Sequence, residues 1–129
     1  YERDTGRIVA ALSAELWRSA LIAPLLSSFS IAALEAAVAA APGLPRGLLV
    51  DEIRQGWLDG LAQLICVSLH CDFMRLTIDQ ARAVKEAGYG LLCYTVNDPA
   101  TARELFAWGV DAVVTDRLDL IPPVPAAAA

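Results

Sequence analysis

Polar side chains capable of chemistry stand at or near the end of each apolar segment of this sequence. They include carboxylates, hydroxyls, an amide and the single histidine of the chain, which are groups that bind metals and phosphates or transfer protons. The residues are Ser27, Ser28, Asp51, Glu52, His70, Asp72, Thr95, Asn97, Thr115 and Asp116. In parallel α/β folds, the carboxyl ends of the strands face the ligand. The pattern therefore predicts a shared rim that faces a ligand.

Five short apolar runs precede these polar residues, and we interpret them as strands. The predicted strands are 25–29, 47–50, 65–70, 91–96 and 112–116. Segments of helical period alternate with them, as in βα units around a parallel sheet. The predicted helices are 2–20, 31–41, 77–87 and 99–108, with a short helix and a loop in 51–64.

Residues that start or stop helices support these boundaries. Ser30, Thr77 and Asp98 are predicted N-caps, and Asp98 is followed by a proline suited to the first helical position. Gly88 and Gly109 are predicted to end helices in the left-handed conformation. In the first helix, the spacing of four residues predicts a core-facing stripe that consists of Ile8, Leu12, Leu16 and Ala20.

Strands that are apolar on both faces favour a parallel sheet covered by helices. Five βα units do not close a barrel, which needs eight strands. We therefore expect residues 1–122 to match the last five strands of a TIM-type (β/α)8 barrel, present as a fragment, with a Pro/Ala-rich tail at 123–129. A five-stranded open sheet in doubly wound order fits the length as well, and periodicity leaves both folds open.

Composition excludes several classes of protein. The formal net charge is −5, 57% of the residues are apolar and 19% are charged. This acidic balance excludes nucleic acid and anionic membranes as partners. No apolar run reaches the roughly 18 residues of a transmembrane helix. Three cysteines without metal-ligand spacing, Cys66, Cys71 and Cys93, indicate buried thiols of a cytoplasmic protein.

Four motifs in a fixed order resemble the carboxyl-terminal part of the glycerophosphodiester phosphodiesterase family, strands four to eight. The motifs are Ser27-Ser28-Phe29, Val67-Ser68-Leu69-His70, Tyr94-Thr95-Val96-Asn97-Asp98 and the segment 108–117. The most specific feature is the aromatic-Thr-Val-Asn strand, followed one helix later by Gly-Val-Asp and then Thr-Asp. The resemblance covers residues 2–122 and implies a (β/α)8 barrel active in lipid metabolism.

That resemblance implies hydrolysis of glycerophosphodiesters to an alcohol and glycerol 3-phosphate with a divalent metal, Mg²⁺ or Ca²⁺. The metal stabilises charge on the phosphoryl group, while two histidines act as acid and base. This chain has one histidine, and its strand-end carboxylates do not match the family's metal ligands. We therefore expect no catalytic residue and no metal ligand in this chain, and no activity from it alone.

What remains is a substrate-facing rim. We predict that five residues bind the substrate: Ser28, Phe29, His70, Tyr94 and Asn97. Phe29 and Tyr94 would line the pocket around the glycerol or the leaving alcohol, and His70 would close its strand at the pocket wall. Asn97 would also hydrogen-bond loop backbone before the Asp98 cap. Ser28 would reach a phosphate oxygen.

Two alternatives stay open. The first is a non-catalytic α/β module that self-associates through exposed sheet edges, because unpaired strands and apolar helix faces favour association. The second is a doubly wound domain of the receiver or flavodoxin type. This second alternative is disfavoured because the sequence lacks the acidic pocket and the phosphate-binding glycine loop that such functions require.

Overall fold

The computed structural model describes residues 1–123, and all but the first residue of the predicted tail at 123–129 lies outside them. The helices are α1 (Glu2–Leu16), α2 (Ile31–Ala40), α3 (Trp57–Gln63), α4 (Ile78–Glu86) and α5 (Pro99–Ala107). The strands are β1 (Leu26–Ser28), β2 (Arg46–Val50), β3 (Ser68–Asp72), β4 (Gly90–Tyr94) and β5 (Ala112–Val113). A 3₁₀ helix, Phe73–Arg75, follows β3.

The strands form one parallel sheet in the order β1-β2-β3-β4-β5. Each strand pairs with the next along the chain, for example Leu69 of β3 with Leu91 of β4. A doubly wound sheet reverses its strand order at a switch point, so sequential order excludes that alternative. The predicted α/β class, with five parallel strands alternating with helices as in part of a barrel, is confirmed.

Most predicted boundaries agree with the structure to within a few residues, but β3 begins three residues later than expected. Ile65 has a positive φ of 50°, and the amide of Cys66 donates to the carbonyl of Leu61 at 2.9 Å. These residues therefore close α3 instead of opening the strand. An apolar run does not show this, because a helix end and a strand start share the same hydrophobic residue types.

The predicted caps are confirmed. Ser30 Oγ accepts a hydrogen bond from the backbone amide of Ala33 at 3.1 Å. The carboxylate of Asp98 accepts one from the backbone amide of Thr101 at 2.8 Å. Thr77 and Gln80 form a reciprocal capping box around the start of α4. Gly88 and Gly109, at φ 86° and 99°, take the left-handed conformation that follows a helix.

The predicted core stripe of α1 is wrong. Ile8, Leu12 and Leu16 are 46%, 51% and 75% exposed, whereas Ala10 is fully buried. α1 packs instead through its small residues against the alanine-rich α2, where a side chain at Gly6 would collide with the backbone of Ala33. Close helix approach selects small residues, so in this helix the apolar stripe does not mark the buried face.

The main core lies between the sheet and the helices. Leu69, Cys71, Leu91 and Cys93 point from β3 and β4 into it. The helices supply Leu34, Leu61, Ala81, Val84 and Leu105. Successive strand residues alternate between faces, so Ser68, His70 and Asp72 lie on the opposite side of β3. We call this side, which faces away from the helices, the inner face.

A buried arginine closes the amino-terminal end of the sheet. Arg46 is 3% exposed, and its guanidinium donates to the carbonyl oxygens of Leu44 at 2.5 Å and Ile65 at 3.1 Å. Longer hydrogen bonds reach Leu64 and Ala41, each at 3.4 Å. The side chain thus satisfies backbone carbonyls after α2 and α3 and ties the two loops together.

Within residues 1–123, none of the helices has the length and apolar character needed to span a bilayer.

Candidate functional site

The candidate site lies on the inner face, where the strands end. Tyr94 and Asp72 are register partners at the carboxyl ends of β4 and β3. Phe29 directly follows β1 and is 57% exposed. Its ring meets that of Tyr94 edge to face, with the centroids 6.1 Å apart. The side chains that follow the first strand and end the fourth thus meet across the inner face at this end of the sheet.

The ring of Tyr94 is fixed by its hydroxyl, which donates to the carbonyl oxygen of Val50 at 2.7 Å. Burial raises the pKa of Tyr94, and the carboxylates of Asp51 and Asp72 raise it further. The guanidinium of Arg75 has a smaller, opposite effect on this pKa. The tyrosine hydroxyl is therefore neutral at pH 7 and donates its proton to the carbonyl oxygen of Val50.

An open cavity of about 300 Å³ lies beside Phe29, lined also by Val50, Asp51, Glu52 and Arg54. Arg54 binds the carboxylate of Glu52 at 2.6 Å, and the pKa of Glu52 is lowered chiefly by this hydrogen bond. Larger cavities lie elsewhere, for example one of about 890 Å³ between α1 and α2. We assign the site to the smaller cavity because it sits at the strand ends, where α/β proteins bind ligands.

His70 lies in the middle of β3, two residues before its end, and not at the strand terminus as expected. It is 3% exposed, and its Nε2 shares a hydrogen bond of 2.8 Å with Ser68 Oγ. Burial lowers the pKa of His70, so the imidazole is neutral at pH 7. A Cβ at Gly47 would lie 2.5 Å from Nε2, so that glycine makes room for the ring.

Asn97 joins the loops after β4 and β5. Its Oδ1 accepts the amide of Asp116 at 2.9 Å and the hydroxyl of Thr115 at 3.0 Å. The predicted bond to loop backbone is therefore present, although it reaches the loop after β5 and not the turn at Asp98. The side chain is exposed at the rim.

Ser28 lies on the helix side of the sheet. It is the register partner of Leu48, a core residue, and it lines a small cavity with Val9, Leu34 and other residues of α1 and α2. Its Oγ accepts the amide of Ser30 at 3.0 Å. The structure brings Phe29 and Tyr94 together but places Ser28 on the other face, and its substrate contact stays a prediction.

A divalent metal does not fit these residues alone. Within residues 1–123, no three side chains of His, Cys, Asp or Glu are placed to hold a metal ion together. Glu52 is occupied by Arg54 and lies 3.5 Å from Arg75, and Asp72 caps the amide of Met74 at 2.9 Å.

Some site residues were not singled out from the sequence. One of them is Ser68, the hydrogen-bond partner of His70. The alternation of strand faces could have identified it, because Ser68, His70 and Asp72 are two residues apart along β3. Arg54 and Arg75 lie in loops, and their shared contact with Glu52 needs the tertiary structure. Nothing in the sequence shows that Gly47 must lack a side chain, because the ring of His70 comes next to it only in the folded sheet.

Parallel strands in sequential order, with helices packed outside them, are typical of part of a (β/α) barrel. The chain belongs to the Glycerophosphoryl diester phosphodiesterase family, whose profile matches residues 5–120. The resemblance identified from the four motifs is thereby confirmed. No curated protein matches the chain.

Several solved structures are similar. A phosphodiesterase of Oleispira antarctica, solved with the product sn-glycerol-3-phosphate, is 34% identical with a TM-score of 0.78, and the match covers 88% of this chain and 47% of that one. A glycerophosphodiester phosphodiesterase of Thermotoga maritima is 23% identical with a TM-score of 0.71, covering 89% and 52%. One from Parabacteroides distasonis is 22% identical with a TM-score of 0.73, covering 91% and 50%. The chain thus spans about half the length of the structures that it matches.

Proposed function

We propose that this chain forms the substrate-facing part of a glycerophosphodiester phosphodiesterase, which hydrolyses its substrate to an alcohol and glycerol 3-phosphate. The observation that carries this proposal is the contact of Phe29 with Tyr94 at the carboxyl ends of sequential strands. Family membership supports it, as does the likeness to a phosphodiesterase solved with sn-glycerol-3-phosphate.

In this proposal the rim residues have separate tasks. Phe29 and Tyr94 form an apolar wall against which the carbon skeleton of the substrate packs. Neutral His70 lies below them on the inner face, held by Ser68, and acts as part of the pocket wall. Asn97 fixes the loops after β4 and β5 and so sets the shape of the rim.

We further propose that these 129 residues do not hydrolyse the substrate alone. Acid and base catalysis by two histidines is impossible in a chain that has one histidine, and that one is buried and neutral. The divalent metal implied by the family, Mg²⁺ or Ca²⁺, would be held by groups outside this set of residues. The three buried free thiols support a cytoplasmic location for the protein.

Complementation in trans tests this proposal. The chain is mixed with the part of the Oleispira antarctica phosphodiesterase that it does not cover, and release of glycerol 3-phosphate from glycerophosphocholine is followed with and without Mg²⁺ or Ca²⁺. Metal-dependent release from the mixture, with none from either part alone, is expected. Absence of release from two folded parts that form a complex would contradict the proposal.

A second candidate is a non-catalytic module that self-associates. The exposed residues Ile8, Leu12 and Leu16 of α1 favour it, as does the position of β1 and β5 at the two ends of the sheet order. Edges and apolar faces of this kind promote association. Sedimentation velocity distinguishes the two candidates, because a monomer at all concentrations would exclude this one.

A further inference from the structure

Two cysteines lie side by side in the core, on neighbouring strands. Cys71 of β3 and Cys93 of β4 are register partners. Both are free thiols, and Cys71 is 1% exposed while Cys93 is fully buried. Register partners on parallel strands are about 4.8 Å apart, within the roughly 4.4–6.8 Å between Cα atoms that a disulfide bridges. The fold therefore brings the two thiols within reach of one bond.

The third cysteine of the chain is not within this reach. Cys66 precedes Ser68, the first residue of β3, whereas Cys71 and its partner lie near the other end of the strands. From Ser68 to Cys71 alone, the extended strand spans roughly 10 Å, which is longer than a disulfide allows. Burial raises the pKa of Cys66, so its thiol stays protonated. Only Cys71 and Cys93 are paired by the fold.

The two paired thiols differ in how readily they ionise. A hydrogen bond from the thiol of Cys93 lowers the pKa of Cys71, although burial opposes this effect. The same interaction raises the pKa of Cys93, and burial raises it further. Because the thiolate is the nucleophilic form of cysteine, Cys71 is the attacking sulfur and Cys93 the one that follows. Each is the last but one residue of its strand, and strand ends open more easily than strand centres.

We propose that Cys71 and Cys93 form a reversible disulfide when the protein meets a peroxide. The sulfur of Cys71 attacks one oxygen of hydrogen peroxide. An S–O bond forms, the O–O bond breaks and hydroxide leaves, so that Cys71 becomes a sulfenic acid. The sulfur of Cys93 then attacks that of Cys71, the S–S bond forms, and the hydroxyl leaves as water with the proton of Cys93. In total the two thiols lose two electrons and two protons, and the peroxide is reduced to two molecules of water.

The spacing of parallel strands makes this disulfide easy to reduce. Cβ atoms of register partners keep the strand spacing of about 4.8 Å, whereas those of a relaxed disulfide are about 3.8 Å apart. The bond must therefore draw β3 and β4 together, and strained disulfides are the labile, regulatory ones. Asp72 and Tyr94 are the next register partners, so the displacement reaches the aromatic rim. The disulfide requires no catalysis by the chain and is independent of the proposed function.

Oxidation of the 129-residue chain, once folded and once unfolded in urea, tests this pairing. The reduced chain is treated with hydrogen peroxide, remaining thiols are alkylated, and tryptic fragments are analysed by mass spectrometry. Trypsin places Cys93 in 86–103, and Cys66 with Cys71 in 55–75. For the folded chain we expect a mass loss of about 2 Da, the two fragments linked through Cys71, alkylated Cys66 and full reversal by dithiothreitol.

The unfolded chain is the reference for proximity. Without the register of β3 and β4, the pair Cys66 and Cys71 closes the shortest loop and should predominate. This comparison uses the natural sequence, so it holds even where a variant fails to fold.

Variants identify the sulfur atoms. In the folded chain, Cys93→Ala removes one partner, and Cys71→Ala leaves only Cys66, which lies beyond reach. Both should abolish the linked fragments. Cys66→Ala is the matched control at another buried thiol and should leave the linked fraction unchanged.

Three results would overturn the proposal. The first is free Cys71 and Cys93 in the folded chain at a peroxide concentration that fully oxidises the unfolded chain. The second is linkage through Cys66 in the folded chain. The third is sulfinic acid at Cys71 without any linkage, because this would show that Cys93 does not reach the sulfenic acid.

Discussion

The rings of Phe29 and Tyr94 meet edge to face at 6.1 Å, although β2 and β3 lie between the strands that precede and carry them. In a flat sheet, three strand spacings of about 4.8 Å would separate these positions by roughly 14 Å. The contact therefore reports the curvature of the sheet. This curvature makes the inner face of the sheet concave at the carboxyl ends of the strands.

The hydroxyl of Tyr94 stabilises this rim through the carbonyl of Val50. Tyr94→Phe removes the donor and leaves the ring, so the free energy of unfolding should fall by about 1 kcal/mol. Urea denaturation measures the change. Tyr89→Phe is the control, because Tyr89 also makes an aromatic pair, with Trp57, and its hydroxyl donates to no other residue in 1–123. Equal losses in both variants would contradict the assigned role.

The buried histidine makes stability depend on pH. Burial lowers the pKa of His70 below its ordinary value of 6.5. The unfolded chain therefore binds more protons than the folded chain as pH falls through 6.5, and the free energy of unfolding should decrease on acidification, by at most about 1.4 kcal/mol per pH unit. Urea denaturation at pH 7.5 and at pH 5.5 measures this decrease in the free energy of unfolding.

Because the chain has one histidine, His70→Gln is a complete control for this pH dependence. The variant should lose the slope between these two pH values and keep the acid unfolding that its carboxylates cause at lower pH. An unchanged slope in His70→Gln would show that another group is responsible.

Gly47 should not tolerate a side chain. A Cβ there would lie 2.5 Å from His70 Nε2 and 2.9 Å from Ser68 Oγ, so Gly47→Ala should destabilise the fold by about 1–3 kcal/mol. Gly43→Ala, where a Cβ meets nothing within 4 Å, is the control and should be neutral. Combining Gly47→Ala with His70→Ala should cost less than the sum of the single changes, and strict additivity would argue against the contact.

Arg46 should contribute strongly to stability through hydrogen bonds to backbone. Arg46→Met keeps an unbranched side chain, shorter than that of arginine, but leaves the carbonyls of Leu44 and Ile65 without these donors, which should cost about 3 kcal/mol or more. Arg82→Met, an exposed change on α4, is the control. Equal melting temperatures for the two variants would show that the loops after α2 and α3 do not need Arg46 for their stability.

The sequence predicted the sheet well because its local signals agree with one another. Ser30, Thr77 and Asp98 each cap the expected helix, and short apolar runs between such caps leave little choice of element. Polar residues do follow the strands, for example Asp51 after β2 and Asn97 after β4, but their role in binding a ligand stays a prediction. The start of β3 and the buried face of α1 were not, because the positive φ of Ile65 and the close approach of Gly6 to Ala33 depend on tertiary packing.

The local sequence pattern also could not predict which site residues share a face of the sheet. Ser28 and Phe29 are neighbours in sequence, yet Ser28 faces the helices while Phe29 contacts Tyr94. Alternation of strand faces separates adjacent residues in this way. The sequence alone could not show that Ser28 and Phe29 lie on opposite faces, because this depends on the register of β1 against β2.

The central claim is that this chain builds the substrate side of a phosphodiesterase site. A covalent chimera tests it most directly: residues 5–120 replace the corresponding part of the Oleispira antarctica phosphodiesterase, which is 34% identical, and release of glycerol 3-phosphate from glycerophosphodiesters is measured. We expect a folded chimera to hydrolyse the substrate, with a raised KM when Phe29→Ala is introduced. A folded chimera that releases no glycerol 3-phosphate would contradict the claim.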